Sequence, residues 1–351
     1  MRLFCVLFLL LLNWTGNRCP AAAQEPLRIN GPTMGSYYSI VIDTPGETET
    51  RHLQQEVEAV FARINGMMST WDGESEISRF NNSESLDWFP VSREFAEVTQ
   101  EALRIYELTN GTLEITIAPL IEAWGFGRSG KKKVPPEQAI NTALKSIGSQ
   151  HLHVRQQPPA IRRDIPGLQI SLNSLAPGYA ADLVSELLQK RGLPRHVVDV
   201  GGELHVGMAK SGGDAWRLGV ESPLGGLHCA VELTDNSIAT SGDYRNFFVI
   251  NGRRYAHVLN PHTGYPAEDP PASVSVIHRS AMTADAIATA MMVLGPQDGL
   301  ELARRKKLDV MFLMVTTEGQ VQEFSCGRFS DRESESDTPE KDSSTPDPPG
   351  E

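Results

Sequence analysis

Met282-Thr283-Ala284-Asp285-Ala286-Ile287-Ala288-Thr289 is the stretch that says most about the fold of this chain. Its small and apolar residues predict the start of a buried helix, on which Asp285 and Thr289 stand one turn apart on one face. A lone carboxylate in so apolar a helix needs a partner, because burying an unpaired charge is costly. The hydroxyl one turn away favours a hard cation held through oxygen. For this pair taken alone, the simpler explanation is that Asp285 caps the helix or pairs with a basic side chain.

The segments around this helix predict an α+β fold. Helical spacing or capping signals predict four further helices, over Thr50–Met68, from Ser92 to about Thr109, over Tyr179–Arg191 and over Gln297–Lys307. Short apolar runs between turns predict strands over Tyr37–Ile42, Val197–Val200, His205–Gly207, Trp216–Val220, Ala230–Leu233, Phe247–Ile250, Val274–Ile277 and Val310–Val315. Because helices and strands follow each other without regular βαβ alternation, the class is α+β.

Composition limits the function classes. The chain has 351 residues, of which 40% are hydrophobic, so it can bury a sizeable core. Its net charge of −12 argues against nucleic acid or an anionic membrane surface as the main partner.

Both termini differ in composition from the middle of the chain. Arg2, the apolar run Leu3–Leu12 and Ala21-Ala22-Ala23 predict a signal peptide over residues 1–23, and with it export to the periplasm or cell envelope. Cys19 follows Arg18, which is unlike the small residue that a lipid-modification site requires, so we expect no lipid anchor there. Residues 328–351 predict a disordered acidic tail, which leaves residues 24–327 as one domain.

Two cysteines, Cys229 and Cys326, remain in the predicted mature chain. They could pair in an oxidising compartment, but two cysteines are not a disulfide framework.

Four other motifs allow both a structural and a functional interpretation. The turn Val200-Gly201-Gly202-Glu203 and the polar segment Ser241–Asn246 could be plain connections or could bring backbone close to a ligand. The segment His257–Pro266 predicts a loop of fixed shape that presents an imidazole, or a rigid turn with a core histidine. Tryptophans beside turns, Trp71 and Trp124, could stack on a planar ring or pack in the core.

Taken in order, these segments resemble the ApbE family of flavin transferases over about Gly31 to Phe324. The matching pieces are Thr33-Met34-Gly35-Ser36, Met68–Trp71, Ser75–Asn81, Ala118-Pro119-Leu120, Trp124–Gly127, Gly178–Asp182, Val200-Gly201-Gly202, Ala239–Asn246, the His257 loop and the Asp285/Thr289 helix. The resemblance implies a T-fold-like α+β domain with mixed sheets flanked by helices, and FAD in a cleft between lobes with Mg²⁺ at its pyrophosphate.

The resemblance also implies an activity. Such enzymes cleave FAD, release AMP and attach FMN through a phosphoester to a Thr or Ser of an acceptor flavoprotein or redox-complex subunit. Peripheral membrane association is compatible with such a partner. Two alternatives stay open: an FAD pyrophosphatase that yields FMN and AMP, and an FAD-binding protein without catalysis.

By position, the resemblance implies roles for individual residues. The Mg²⁺ ligands would be Ser174, Asp285 and Thr289. The flavin-nucleotide contacts would come from Met34, Trp71, Thr112, Leu113, Glu114, Ser171, Pro177 and Leu259. His257 joins Asp285 as a catalytic candidate, with the hypothesis that it helps deprotonate the acceptor hydroxyl or orients the phosphates.

Three of these positions depart from the family pattern. The family usually has Asp at the positions of Glu114 and Ser171, and Lys or Glu at the position of Pro177. Ser171 lacks the carboxylate that would meet the nucleotide, and Pro177 removes a side-chain contact and a backbone N–H. We therefore expect weakened recognition of the adenine side, with the metal pair intact.

Overall fold

The structure, a computed structural model, describes residues 25–43, 50–127, 130, 132–242, 247–250, 253–256, 258–267 and 269–330. Its helices are α1 (Thr50–Met68), α2 (Glu76–Asn82), α3 (Arg93–Leu108), α4 (Ala118–Trp124), α5 (Glu137–Leu144), α6 (Ala176–Lys190) and α7 (Ala281–Lys306). Its strands are β1 (Leu27–Thr33), β2 (Ser36–Ile42), β3 (Phe89–Pro90), β4 (Leu152–Gln156), β5 (Pro159–Arg163), β6 (His196–Val200), β7 (Glu203–Val206), β8 (Trp216–Glu221), β9 (Leu227–Leu233), β10 (Asn236–Gly242), β11 (Phe247–Ile250), β12 (Arg253–Ala256), β13 (Ser273–His278), β14 (Asp309–Val315) and β15 (Val321–Cys326).

The helix predictions are confirmed, with small changes at the ends. Helix α1 has the predicted bounds, and Ser92 caps α3 by accepting a hydrogen bond from the Phe95 N–H at 3.2 Å. Helix α6 begins three residues earlier than predicted. The two helices predicted from Met282 onward follow each other as α7, with a kink between them at Gly295, where φ is +72° and ψ is 175°. That conformation is available almost only to glycine, and Pro296 next to it cannot donate a helical hydrogen bond.

An eight-stranded sheet organises the chain, in the order β1-β2-β6-β7-β10-β13-β14-β15. Each described ladder in the structure is antiparallel, so the α+β character comes from the order of helices and strands along the chain. Strand β10, which the apolar pattern did not predict, lies in the middle of this sheet. Ser241 and Gly242 therefore belong to a strand, whereas residues 243–246 lie outside the described ranges.

The large sheet is buried on both faces. On β14, Val310 and Phe312 face one cluster, which contains residues of α1, α6 and α7, whereas Met311 and Leu313 face a second cluster under the β8–β9 hairpin. The sheet is therefore a middle layer between helices and a two-stranded hairpin. Helix α7 lies against β10 and β13 and beside α6.

The C-terminal end of the described chain closes the second cluster. Phe329 is 1% exposed in a short 3₁₀ helix, Gly327–Phe329, so the fold continues past the boundary predicted at residue 327. The rest of the predicted tail, the predicted signal peptide and Cys19 lie outside the described residues. Cys229 and Cys326 are not joined by a disulfide, and the Cys326 thiol donates to the Leu308 carbonyl at 3.4 Å. Among the helices of the described ranges, none has both the length and the apolar composition that a membrane span requires.

Candidate active site

Asp285 lies in the buried first half of α7, as the sequence predicts. It is 5% exposed, and its Oδ2 accepts the Gly178 N–H from the first turn of α6 at 3.4 Å. Burial raises the pKa of Asp285 to about 7, although the hydrogen bond from Gly178 acts in the opposite direction. One turn further along, the hydroxyl of Thr289 lies 3.5 Å from that of Ser241 on β10. The structure therefore places a sparsely hydrogen-bonded carboxylate and a hydroxyl on one face of α7.

Two more carboxylates belong to this neighbourhood, Glu203 beside Asp285 and Asp199 beside Glu203, and neither was predicted as a site residue. Burial and the charges of Asp285 and Asp199 raise the pKa of Glu203 well above its ordinary value. Burial also raises the pKa of Asp199, which accepts the Gly202 N–H at 2.9 Å. Both residues flank the Gly201-Gly202 turn, whose acidic neighbours were a usable signal. Crowded carboxylates favour a cation or shared protons, because like charges repel.

The residues around Asp285 fit a magnesium ion that has few protein ligands. Within the described ranges, no group of three or more His, Cys, Asp or Glu side chains is arranged to hold a metal. Mg²⁺ commonly keeps water and phosphate ligands and takes one or two carboxylates from the protein. Asp285 and Thr289 supply one carboxylate and one hydroxyl, and Ser174 lies in the turn just before α6, whose first turn contacts Asp285.

The predicted nucleotide segments around Glu114 and Ser171 are neighbours in space. The Ser171 N–H donates to the Ile115 carbonyl at 2.7 Å. The side chain of Asn81 binds Ile170, the residue before Ser171, through two hydrogen bonds. Its NH₂ group donates to the Ile170 carbonyl and its oxygen accepts the Ile170 N–H, each at 2.8 Å. Within the same segments Thr112 and Leu113 are buried. The two segments therefore form one fixed surface.

Glu114 was predicted to contact the nucleotide, but its carboxylate is fully engaged within the protein. Oε1 accepts the N–H and hydroxyl of Thr116 at 2.8 and 2.7 Å and also the Ser149 hydroxyl, and Oε2 accepts the Ser149 N–H at 2.9 Å. Its described contacts make Glu114 a tie between two loops, because charge-assisted hydrogen bonds of this kind are strong.

Pro177 does not disturb the local backbone. It lies in the first two positions of α6, where an N–H has no acceptor within the helix. The backbone donor expected to be lost at this position is therefore one that the helix does not use. The remaining difference between Pro177 and the family pattern is the missing side chain of a Lys or Glu.

The two tryptophans have opposite environments. Trp71 is 64% exposed, which suits an aromatic ring that stacks on a ligand. Trp124 is completely buried and donates from Nε1 to the Gly264 carbonyl at 2.9 Å, so it is a core residue.

Met34 and Leu259, the remaining predicted nucleotide contacts, lie at turns. Met34 is the first residue of the two-residue turn between β1 and β2. Its φ is +49°, a backbone conformation that residues other than glycine rarely adopt. Backbone strain of this kind is often found at functional sites. Leu259 is buried, and its backbone bridges to Pro266.

His257 itself lies outside the described residues, but the loop that follows it is described. The Asn260 N–H donates to the Tyr265 carbonyl and the Gly264 N–H donates to the Asn260 carbonyl, both at 2.8 Å. Two backbone hydrogen bonds therefore close the turn within residues 258–267, and the fixed shape of the whole loop stays a prediction.

A cavity of about 450 Å³ lies beside this loop. Among the described residues, Thr112 is the one predicted site residue that lines the cavity. The other lining residues include Asn260, His262 and three residues of the second half of α7, Asp298, Glu301 and Arg305.

The fold built on this antiparallel sheet is that of a known family. The family model described as the ApbE family matches residues 34–312, and the chain belongs to that family. A protein of Vibrio cholerae named FAD:protein FMN transferase is 35% identical over 334 residues, which cover 94% of this chain and 98% of the relative. A protein of the same name from Escherichia coli K12 is 34% identical, over 85% of this chain and 86% of the relative.

Solved structures agree. The flavin transferase ApbE from Vibrio cholerae has a TM-score of 0.79 at 34% identity, over 87% of this chain and 98% of the other. The apo flavinyl transferase ApbE of Pseudomonas stutzeri has a TM-score of 0.80 at 34% identity, over 87% and 96%.

Proposed function

We propose that this chain is an FAD:protein FMN transferase that depends on Mg²⁺. The observation that carries the proposal is the match to relatives of that name over nearly the whole of both chains. The buried, sparsely hydrogen-bonded carboxylate of Asp285 supports the metal requirement.

The reaction exchanges one phosphorus–oxygen bond for another. The hydroxyl oxygen of an acceptor Thr or Ser bonds to the phosphorus of the FMN half of FAD. The bond from that phosphorus to the bridging oxygen breaks, AMP leaves with that oxygen, and the hydroxyl loses its proton. Mg²⁺, when bound, screens the charge that the pyrophosphate carries and develops during this transfer.

The residues of the chain bind and orient the reactants. Asp285 and Thr289, with Ser174, hold the cation, and Asp285 must be ionised to do so. His257 takes the proton of the acceptor hydroxyl or orients the phosphates. The surface formed by the segments around Thr112 and Ser171 receives the nucleotide, and the exposed ring of Trp71 stacks on one of its planar groups.

The location and partners of the chain are also proposals. The composition of residues 1–23 favours export to the periplasm or cell envelope, and Arg18 argues against a lipid anchor at Cys19. The acceptor would be an exported flavoprotein or a subunit of a redox complex, and such a partner would bring the chain to a membrane surface. Its acidic net charge disfavours nucleic acid as a partner.

A single incubation tests the proposal. The mature chain is mixed with FAD, Mg²⁺ and a candidate acceptor, AMP is quantified, and the acceptor is weighed by intact-mass spectrometry. An added FMN on the acceptor is the expected result. Free FMN without a modified acceptor would make the chain a pyrophosphatase, and bound FAD without AMP would make it a binding protein.

A further inference from the structure

Asp182 on α6 binds the first turn of α7. Its Oδ2 accepts the Ser280 hydroxyl at 2.7 Å and the Met282 N–H at 3.1 Å, and its Oδ1 accepts the Ala281 N–H at 2.8 Å. The first N–H groups of a helix have no acceptor within it, so one carboxylate here satisfies two of them and also holds the capping serine. A negative charge at this end also interacts favourably with the helix dipole.

Gly178, one turn earlier on α6, brings the same two helices into backbone contact. A Cβ at Gly178 would lie 2.4 Å from the Ala281 carbonyl oxygen, so no larger residue fits without moving a helix. The Gly178 N–H is also the group that donates to Asp285. Asp182 therefore binds the start of α7 one turn before Asp285. Gly178 contacts both Ala281 in this first turn and Asp285 itself.

His205 holds Asp182 from the other side. Its Nδ1 lies 2.6 Å from Asp182 Oδ1 and 3.3 Å from the hydroxyl of Ser237. The strands β7 and β10, which carry His205 and Ser237, pair in the large sheet. The contacts of Asp182 thus connect the sheet, α6 and the start of α7.

We propose that Asp182 is a positioning residue for metal binding, because it fixes the first turn of α7 and with it the location of Asp285; His205 fixes Asp182 in turn. This inference rests on the proposed function, in which Asp285 holds Mg²⁺. Helix termini fray unless their end groups are satisfied, and residues 281–284 form the turn directly before Asp285.

The test uses Asp182→Asn in the mature chain, which keeps the side-chain shape but replaces one acceptor oxygen by an NH₂ group. The matched control is Asp164→Asn. Asp164 also pairs with a histidine, His153, at 2.5 Å, but the described contacts of its side chain lie on β4 and β5 and not on α7. Mn²⁺ is the probe, titrated with and without FAD and followed by the EPR signal of the free ion.

We expect D182N to weaken Mn²⁺ binding by at least about tenfold, the usual effect of losing a residue that orients a metal ligand. D164N should bind Mn²⁺ as the wild type does. In turnover assays, the Mg²⁺ concentration for half-maximal rate should rise in D182N while the rate at saturating Mg²⁺ changes little. Wild-type Mn²⁺ affinity in a folded D182N variant would overturn the inference.

Hydrogen exchange separates a failure of this inference from a failure of the proposed function. In the metal-free chain, the amides of residues 281–283 should exchange faster in D182N than in D164N. If the wild type binds neither Mn²⁺ nor FAD, the proposed function fails, and unchanged exchange in D182N would overturn the positioning role independently. If D182N does not fold, His205→Asn, which leaves the three contacts of Asp182 to α7 in place, should show the same changes to a smaller degree, and its lack of any change would count against the inference.

Discussion

Glu114 and Asp285 are both buried carboxylates, at 8% and 5% exposure, yet their surroundings differ. Glu114 accepts four hydrogen bonds, two from Thr116 in its own loop and two from Ser149, whereas the described contacts of Asp285 include one hydrogen bond, from Gly178 at 3.4 Å. A carboxylate with saturated oxygens stabilises the fold and has little capacity for a ligand. One that is buried with its oxygens largely unused is costly unless a cation or a proton joins it. Burial alone does not distinguish the two roles, but the number of donors does.

The largest expected effect is on catalysis. Asp285→Asn should lower AMP release from FAD by at least about a thousandfold at saturating Mg²⁺, because the metal supplies several kcal/mol of charge stabilisation. The variant should unfold in urea at the same concentration as the wild type or a higher one, since a poorly satisfied buried charge has been removed. The matched variant Glu114→Gln should show the reverse, with nearly normal turnover and reduced stability. Unchanged AMP release in D285N would place the metal elsewhere.

The second effect is on stability. Glu114→Ala should lower the free energy of unfolding by about 3 kcal/mol, because buried donors of Thr116 and Ser149 lose their acceptor. Urea unfolding followed by far-UV circular dichroism measures this. A variant as stable as the wild type that no longer binds FAD would instead make Glu114 a nucleotide ligand.

The third effect is a pH dependence of the metal-free chain. Asp285 has an ordinary pKa of 3.8 and a folded pKa of about 7. Between these values the folded chain keeps a proton that the unfolded chain has lost, so stability falls as pH rises, by up to about 1.4 kcal/mol per pH unit. The difference between wild type and D285N should show this slope when urea unfolding is measured across the window.

The titration of His196 changes stability with pH in the opposite direction, which is why the wild type must be compared with D285N. Burial lowers its pKa from 6.5 to about 4, so its contribution to stability grows as pH rises between those values. The contribution of His196 is the same in the wild type and in D285N and cancels in their difference. A difference that does not vary with pH would mean that the buried carboxyl of Asp285 does not retain its proton.

The smallest effect concerns a single donor to Glu114. Ser149→Ala removes the hydroxyl contact but keeps the backbone one, and should lower stability by about 1 kcal/mol in urea unfolding. The control is Ser83→Ala, because the hydroxyl of Ser83 accepts a hydrogen bond only from the exposed backbone N–H of Ser85, at 3.2 Å, among its described side-chain contacts. That control should stay within about 0.5 kcal/mol of the wild type. Equal losses in the two variants would remove the distinction between Glu114 and an ordinary surface contact.

Periodic and capped segments were predictable from the sequence. The apolar spacing of α1 and the cap at Ser92 gave the correct bounds, because both depend on local spacing and local hydrogen bonds. Strand β10 was not predictable in this way, since it consists mostly of small and polar residues. Those small residues lie against α7. The sequence evidence for this layer is therefore the apolar pattern of α7 and not a pattern in the strand itself.

The site was predictable where a motif carries the chemistry and not where packing decides. The spacing of Asp285 and Thr289 predicted that they share one face of a helix, which the structure shows, and their role as metal ligands stays a prediction. Ser171 and Glu114 were matched by resemblance. The engagement of Glu114 by Ser149 joins residues 35 positions apart, and the contact of Asp182 with Ala281 joins residues 99 apart. No local pattern records such pairs. Glu203 lies close enough to Asp285 and to Asp199 for their charges to raise its pKa, and this proximity depends on the pairing of β6 with β7 in the sheet.

The kink at Gly295 divides α7 into two segments that need not melt together. A helix unwinds from its ends by breaking hydrogen bonds in series, and Pro296 removes the bond that would link the last turns to the first half. Unwinding that begins near Lys307 therefore meets a break before it reaches Thr289. The joint separates the turns that carry Asp285 and Thr289 from thermal loss of order at the exposed end of the same helix.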